Sequence, residues 1–389
     1  MNQQHKLKQE HYLPLKWVQG VMLLLLLTLV ACQSDKQSSE NLETSGETRE
    51  ETNLTLQNAT LEQSNAEGEI LWKIQVDEAK YSPDRKKADL KAVKGNIWQD
   101  GEIVLRVKSD YGVINRDGAE IFLRDNVVAV DPRNEAVLRS EEVEWQPKAS
   151  VLTIRKNVRG SHPQLEASAE EGKYNTREEK LELTGKIEAT AEKKQLQLKT
   201  EHLIWEVPKQ TIIGDRLLTM IKFQDKTITD RLVANRARVL LDKKQVIVKE
   251  NIEYKSIKPP LQIATNEIIW HYQTRQVYSS QPVQLIQYAQ NITVTGNQAH
   301  VNLAENMAYL KGGVKGINQT NDSKLYSNNL TWNILAQTIE ADGNVIYEQN
   351  QNPKFNLTGE KAVGTLVDNN IVVTNSDRQE RVVTEIFPE

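Results

Sequence analysis

From Leu138 to Trp145 the chain reads LRSEEVEW: an aliphatic residue, Ser two positions on, an aliphatic residue five on and Trp seven on. The pattern returns as LKTEHLIW (Leu198–Trp205), IATNEIIW (Ile263–Trp270) and LYSNNLTW (Leu325–Trp332), which sets the four Trp residues 60, 65 and 62 positions apart. Before the first Trp, Val143 and Trp145 fall on one face, and Ser140, Glu142 and Glu144 on the other. After it, Leu152, Ile154 and Val158 share a face while Thr153, Arg155 and Asn157 point away. A period of two describes a β-strand with one face buried and one in water. Apolar residues do not recur at i, i+3 and i+4 here, so the windows do not read as amphipathic helices.

A half-period lies inside this repeat. Each Trp is followed by a second apolar stretch closed by Gly or Asn and then Val or Ile, as in VLTIRKNV ending at Val158 and TIEADGNV ending at Val345. Taking Tyr81, Ile114, Trp145, Tyr174, Trp205, Val239, Trp270, Val301, Trp332 and Val363 as equivalent gives steps of 29 to 34 residues, or about ten copies of a unit of about 31. Links such as QPKAS and NTREEK are polar and turn-rich, and the Gly or Asn before the closing aliphatic residue suits a bend or bulge. A fixed period of this length marks a stacked architecture, in which each unit buries its apolar face only against its neighbours. The expected fold is all-β: about ten stacked two-strand rungs forming two facing antiparallel sheets around an apolar seam or lumen. Val143, Trp145, Leu152, Ile154, Leu203, Trp205, Ile268, Trp270, Leu330 and Trp332 are the inward candidates. A Trp at a fixed place in every second unit serves either as core filler or as a ligand contact, and the pattern alone leaves both open.

Composition narrows the partners. With 49 Lys and Arg against 53 Asp and Glu, the net charge of −4 carries no electrostatic footprint for nucleic acid. Lys6, Lys8 and Lys16 precede an apolar run from Val21 to Ala31. That run is shorter than the roughly 17–25 residues of a spanning helix and fits the core of a signal segment. It ends in Leu29-Val30-Ala31-Cys32, which resembles a bacterial lipobox, so lipidation is expected at Cys32; a short uncleaved anchor over 1–32 is the alternative. Cys32 is the single cysteine, which leaves no intramolecular disulfide. Residues 33–56 read as a polar tether, 57–375 as the repeat body and 376–389 as a polar tail. The chain has no phosphate-binding or hydrolase motif, and its six His residues lack metal-ligand spacing. No catalytic, cofactor or metal residue is assigned.

QSNAEGEILWKIQVDEAKYSPD (Gln63–Asp84), then KADLKAVKGNIWQDGEIVLRVKSDYGVIN and IFLRDNVVAVD (Ile121–Asp131), resemble the LptC family of lipopolysaccharide export. Trp72, Ala79 and Tyr81 match its opening strand, and Gly95-Asn96 its first turn. Later units such as EGKYNTREEKLELTGKI (Glu171–Ile187) are similar to LptA/OstA repeats. The chain is about twice the usual length of the family, in the manner of long cyanobacterial forms. The resemblance implies an elongated β-jellyroll without enzymatic activity, periplasmic and tethered to the inner membrane. Its implied partners are lipopolysaccharide, the inner-membrane Lpt ABC transporter, and an LptA-like or outer-membrane LptD-like bridge protein joined through edge strands. Lipopolysaccharide acyl chains would slide passively along the apolar groove. A structural or adhesive envelope solenoid without lipid cargo is the competing expectation.

Overall fold

The alternation read from the sequence becomes the body of the protein. The computed structural model describes residues 54–387 apart from 164, 192–194, 258–259, 272, 352–353, 367–369 and 376–381. Segment 1–53, with Cys32, lies outside the described residues. Twenty-six β-strands form one sheet whose paired neighbours are antiparallel, from Thr55–Ser64 to Val383–Phe387. Five places hold two half-strands each: Thr211–Gly214 with Leu218–Gln224, Thr227–Ala234 with Arg236–Leu240, Gln276–Ser279 with Val283–Gln287, Ile292–Gly296 with Gln298–Asn302, and Asn370–Thr374 with Val383–Phe387. The 26 strands therefore fill 21 places, about ten two-strand rungs, in an elongated β-jellyroll. The last of these strands, Val383–Phe387, lies in the stretch read as a polar tail and pairs with Lys354–Thr358.

Each long strand belongs to two walls. In Val151–His162 the pairing register shifts between Arg155 and Val158, so residues 151–155 join one wall and 158–162 the other. We call the wall that carries the Trp residues wall A, and the opposite one wall B. Two devices alternate at the corner between them. On one set of strands two successive residues adopt left-handed backbone: Lys156 and Asn157 (φ 64 and 54), Glu250 and Asn251 (66 and 53), Gly343 and Asn344 (79 and 49). Gly and Asn recur at these places because they adopt positive φ at the least steric cost. On the intervening strands the corner is the Ser or Thr of the repeat. Ser140 Oγ donates to the Glu142 carbonyl (3.1 Å), Ser327 Oγ to that of Asn329 (2.8 Å), Thr200 Oγ1 to that of Leu217 (3.2 Å) and Thr265 Oγ1 to that of Pro282 (3.0 Å).

This corner corrects the expected phase of Ser140. Simple alternation put it outside with Glu142 and Glu144, yet it is 7% exposed and points inward. The irregularity between Arg139 and Glu142 resets the alternation, so Ser140 and Val143, three apart, face the same side.

The repeat residues lie on one inward row of wall A, strand after strand. It runs Tyr81, Ala88, Ile114, Ile121, Trp145, Leu152, Tyr174, Leu181 and Trp205. It continues Ile212, Val239, Val246, Trp270, Val277, Val301, Ala308, Trp332, Ile339, Gly364 and Ile371. Every residue taken as equivalent from the sequence is on this row except the last. Gly364, not Val363, pairs with Ile339, and Val363 faces outward at 48% exposure. The Trp residues recur every fourth strand, which at about 4.8 Å per strand sets them roughly 19 Å apart.

Candidate binding chamber

The two walls pack against each other at both ends of the body; in the middle they stay packed only near the corner, where Ala234, Val246, Val248, Ile252 and Ile268 form a smaller core, and part beyond it. Towards the N-terminus Trp145, Leu152, Ile154, Val158 and Leu183 are buried in one core, leaving a void of about 50 Å³ beside Leu152 and Ile154. Towards the C-terminus Leu330, Trp332, Ala341 and Val345 are buried in a second core beside a void of about 70 Å³. Between them lies a cavity of about 1460 Å³. Met220, Leu232, Ile263, Trp205, Ile268 and Trp270 are among its apolar lining. The chamber coincides with the four split places between Thr211 and Asn302, where strands at Asp215–Leu217, Asn235, 280–282 and Asn297 no longer run unbroken from wall to wall.

The long side opposite the corner is shut by side chains on the N-terminal flank. Tyr174 of wall A donates its hydroxyl to Asp131 of wall B at 2.7 Å. Asp131 also pairs with Arg133 (2.6 Å), whose guanidinium reaches across to the Thr176 carbonyl (3.3 Å) and to Glu179 (3.7 Å). Asn134 adds a bond to Glu179 at 3.3 Å, and Thr176 Oγ1 one to Gln99 at 3.0 Å. Burial, then Asp131, pushes the Tyr174 phenol above its ordinary range, and the hydrogen bond to Asp131 raises Arg133. The phenol and the guanidinium therefore both keep their protons at neutral pH. On the C-terminal flank Gln290 of wall B bonds Gln337 of wall A. His162 closes the near end of the chamber, edge-on to Trp205 at 4.8 Å, and burial lowers its pKa.

The structure divides the ten inward candidates. All but Trp270 are buried, and Trp270 is half-buried. Val143 and Trp145 belong to the packed N-terminal core, and Leu152 and Ile154 to the wall of its small void. Leu330 and Trp332 sit beside the small C-terminal void. Leu203, Trp205, Ile268 and Trp270 line the chamber. Met220, Leu232 and Tyr254 also line it and were missed, because they stand on wall B outside the Trp pattern, as was Ile263, which opens the octet ending at Trp270 but lies across the corner on wall B. Their sequence signal is the alternation LTMIKFQ and TITDRLVA, which puts Leu218, Met220, Leu232 and Ala234 on one face and carries Lys222 and Asp230 inward with them.

Tyr254 donates its hydroxyl to Asp230, and burial raises its pKa, with Asp230 adding to the shift. The indole N–H groups of Trp145, Trp205 and Trp332 have no hydrogen-bond partner among the described residues, so these rings act through their apolar surface. Among the described residues no cluster of His, Cys, Asp or Glu is placed to hold a metal, and no helix is long and apolar enough to cross a membrane. The arrangement can take up apolar chains and leave their polar ends in water.

A family model described as lipopolysaccharide assembly, LptC-related, matches residues 20–163 and 216–318, more than half of the chain. No curated protein compared with the chain matches it.

Proposed function

The chain belongs to the LptC-related family of lipopolysaccharide assembly, and from that premise we propose that its central chamber carries the acyl chains of lipopolysaccharide between the two membranes. The family gives the protein a role in lipopolysaccharide transport, and our reading is of a carrier rather than an enzyme. The chamber of about 1460 Å³ between Trp205 and Trp270 is the observation that carries the reading. Each methylene buried there contributes about 0.8 kcal/mol, so acyl chains bind without directed polar contacts and can leave by sliding. The motive force then comes from an inner-membrane ABC transporter, and the jellyroll is passive.

Both ends are fitted for continuation of the conduit. Thr55–Ser64 pairs on one side with Ile70–Tyr81, and Asn370–Thr374 with residues 361–365. A strand from the transporter side, or from an LptA-like or LptD-like bridge protein, would extend the sheet by backbone hydrogen bonds. Lipidation at Cys32 would hold the body at the inner membrane. Cys32→Ser is expected to release the protein from the membrane fraction; retention there would favour a spanning anchor.

The central test is photo-crosslinking in cells with a photoreactive residue at Trp145, Trp205, Trp270 or Trp332. Lipid adducts are expected at 205 and 270 and not at the packed positions 145 and 332. Absence of lipid at all four would overturn the reading and leave a packed envelope scaffold.

A further inference from the structure

The apolar lining of the chamber does not say which ligand end stays in water, but its lips do. Along the lip of wall B one cross-strand row runs Leu196, Lys222, Asp230, Ser256 and Leu261. Lys222 therefore faces the interior in a polar stretch between two Leu residues. The opposite lip belongs to wall A. There the only charged groups lining the chamber, among the described residues, are Lys244 and Arg275, each in a turn of that lip. Lys222, Lys244 and Arg275 are all exposed, and none makes an ion pair among the described residues. Arg133, at the shut part of the mouth, is by contrast taken up by Asp131 and Glu179. The acids that line the chamber, Glu166, Asp225 and Asp230, all stand on wall B, and Asp230 is held there by the Tyr254 and Thr229 hydroxyls. The open mouth thus has a wholly cationic lip facing one of mixed charge.

We propose that the chamber takes an anionic amphiphile through its open side, chains inward, with the anionic group held between Lys222 on wall B and Lys244 and Arg275 on wall A. This rests on the reading of the chamber as an acyl-chain site and adds the charge and position of the head. A phosphate monoester or a sugar carboxylate supplies the required chemistry, since the Arg275 guanidinium can grip two oxygens of either while the Lys residues act as point charges. At about 30 Å³ per water-sized group the chamber has room for on the order of fifty methylene-sized groups, which suits several chains on one head.

The experiment uses the purified full chain and two lipids with identical brominated acyl chains, phosphatidic acid and phosphatidylcholine, presented in vesicles. Bromine quenches Trp205 and Trp270 where the chains enter. Each exposed ion pair contributes a factor of about 1.5 to 5, so phosphatidic acid is expected to bind roughly tenfold or more tightly. Salt should erode that preference. The triple variant K222Q/K244Q/R275Q is expected to lose the preference while phosphatidylcholine quenches both proteins alike. Equal binding of both lipids to the wild type, or a preference that survives the triple variant, would overturn the proposal and leave the acyl-chain site standing. Quenching by neither lipid would remove the acyl-chain site itself. Complete displacement of phosphatidic acid by inorganic phosphate would make the lips a site for the free ion and refute the amphiphile.

Discussion

Trp332 and Trp270 occupy the same inward row two repeats apart, yet their replacement by Ala should have opposite consequences. Trp332 is 1% exposed and buried in the second core, beside its small void. Its removal takes away a full aromatic side chain and leaves a cavity that the paired strands around Ala308 and Ile339 cannot collapse into, at a cost of about 3–5 kcal/mol. Trp270 stands at the wall of a space that is already open, so its loss enlarges the chamber and forfeits contacts on one side only. That places the cost nearer about 1–3 kcal/mol. Urea unfolding followed by far-ultraviolet circular dichroism reads this difference, and binding of brominated lipid reads the other half of the argument. Trp332→Ala should lower the midpoint strongly and leave lipid binding intact under folding conditions. Trp270→Ala should lower the midpoint less and weaken lipid binding. Equal losses of stability at the two positions would show that the walls do not part at Trp270, and the division of the row into packed and open sections would fall with it.

Tyr174→Phe should cost about 1–3 kcal/mol by withdrawing the hydroxyl from buried Asp131. Combined with Asp131→Asn the loss should be less than additive in a double-mutant cycle. Two His residues should respond to pH with opposite signs. Burial works against a charged His202, but the hydrogen bonds to Asp215 (2.7 Å) and Glu182 (3.1 Å) prevail and raise its pKa. Its stabilisation is full below the ordinary value of about 6.5 and fades as pH rises through the raised one, so His202→Gln should cost more at pH 6 than at pH 9. The pKa of His162 is depressed by burial, so its contribution is present above about 6.5 and is lost on acidification, and His162→Gln should cost more at pH 8 than at pH 5. Gly343 has φ +79, and a Cβ there would lie 2.6 Å from Asn328 Nδ2; Gly343→Ala should lower the melting temperature, and an unchanged value would mean the corner relaxes freely.

Much of the body was legible because the inward row is written in residue type. A Trp, Tyr, Val or Ile stands at nearly every second place, and period-two alternation carries its neighbours to the right face. The slip at Val363 arose because a Gly occupies the inward place and an exposed Val lies beside it, so the apolar signal pointed one residue early. Ser140 was misplaced for a related reason: its hydroxyl bends the backbone, and a bend breaks the alternation from which its side was read. The chamber was not legible in the same way. Trp145 and Trp205 sit in near-identical octets and share the N-terminal core, yet only Trp205, at the end of that core, also lines the chamber. What separates them is how far wall B stands off, which depends on strands split at Asp215–Leu217 and Asn235 and on side chains such as Met220 and Leu232. Those residues belong to the opposite wall and to a different part of the chain. The cations of the mouth were visible as residues but not as a group, since one strand and two turns bring Lys222, Lys244 and Arg275 to the lining of one chamber.

The inward row also makes length and capacity separate traits. Because neighbouring strands run in opposite directions and each strand place from Ile70–Tyr81 to Asn370–Thr374 contributes one wall A residue to the row, rungs can be gained or lost in pairs of places without turning any side chain from inside to outside. Excising the four strand places that follow Trp205, up to and including that of Trp270, would shorten the body by roughly 19 Å, remove two of the four split places and so shrink the chamber, and leave the row unbroken. Adding four regular places outside the split region would extend the span by the same amount and leave the chamber as it is. The length of the body is thus counted out by the number of repeats, and the volume of the chamber is set by a few broken strands, so the two can diverge independently.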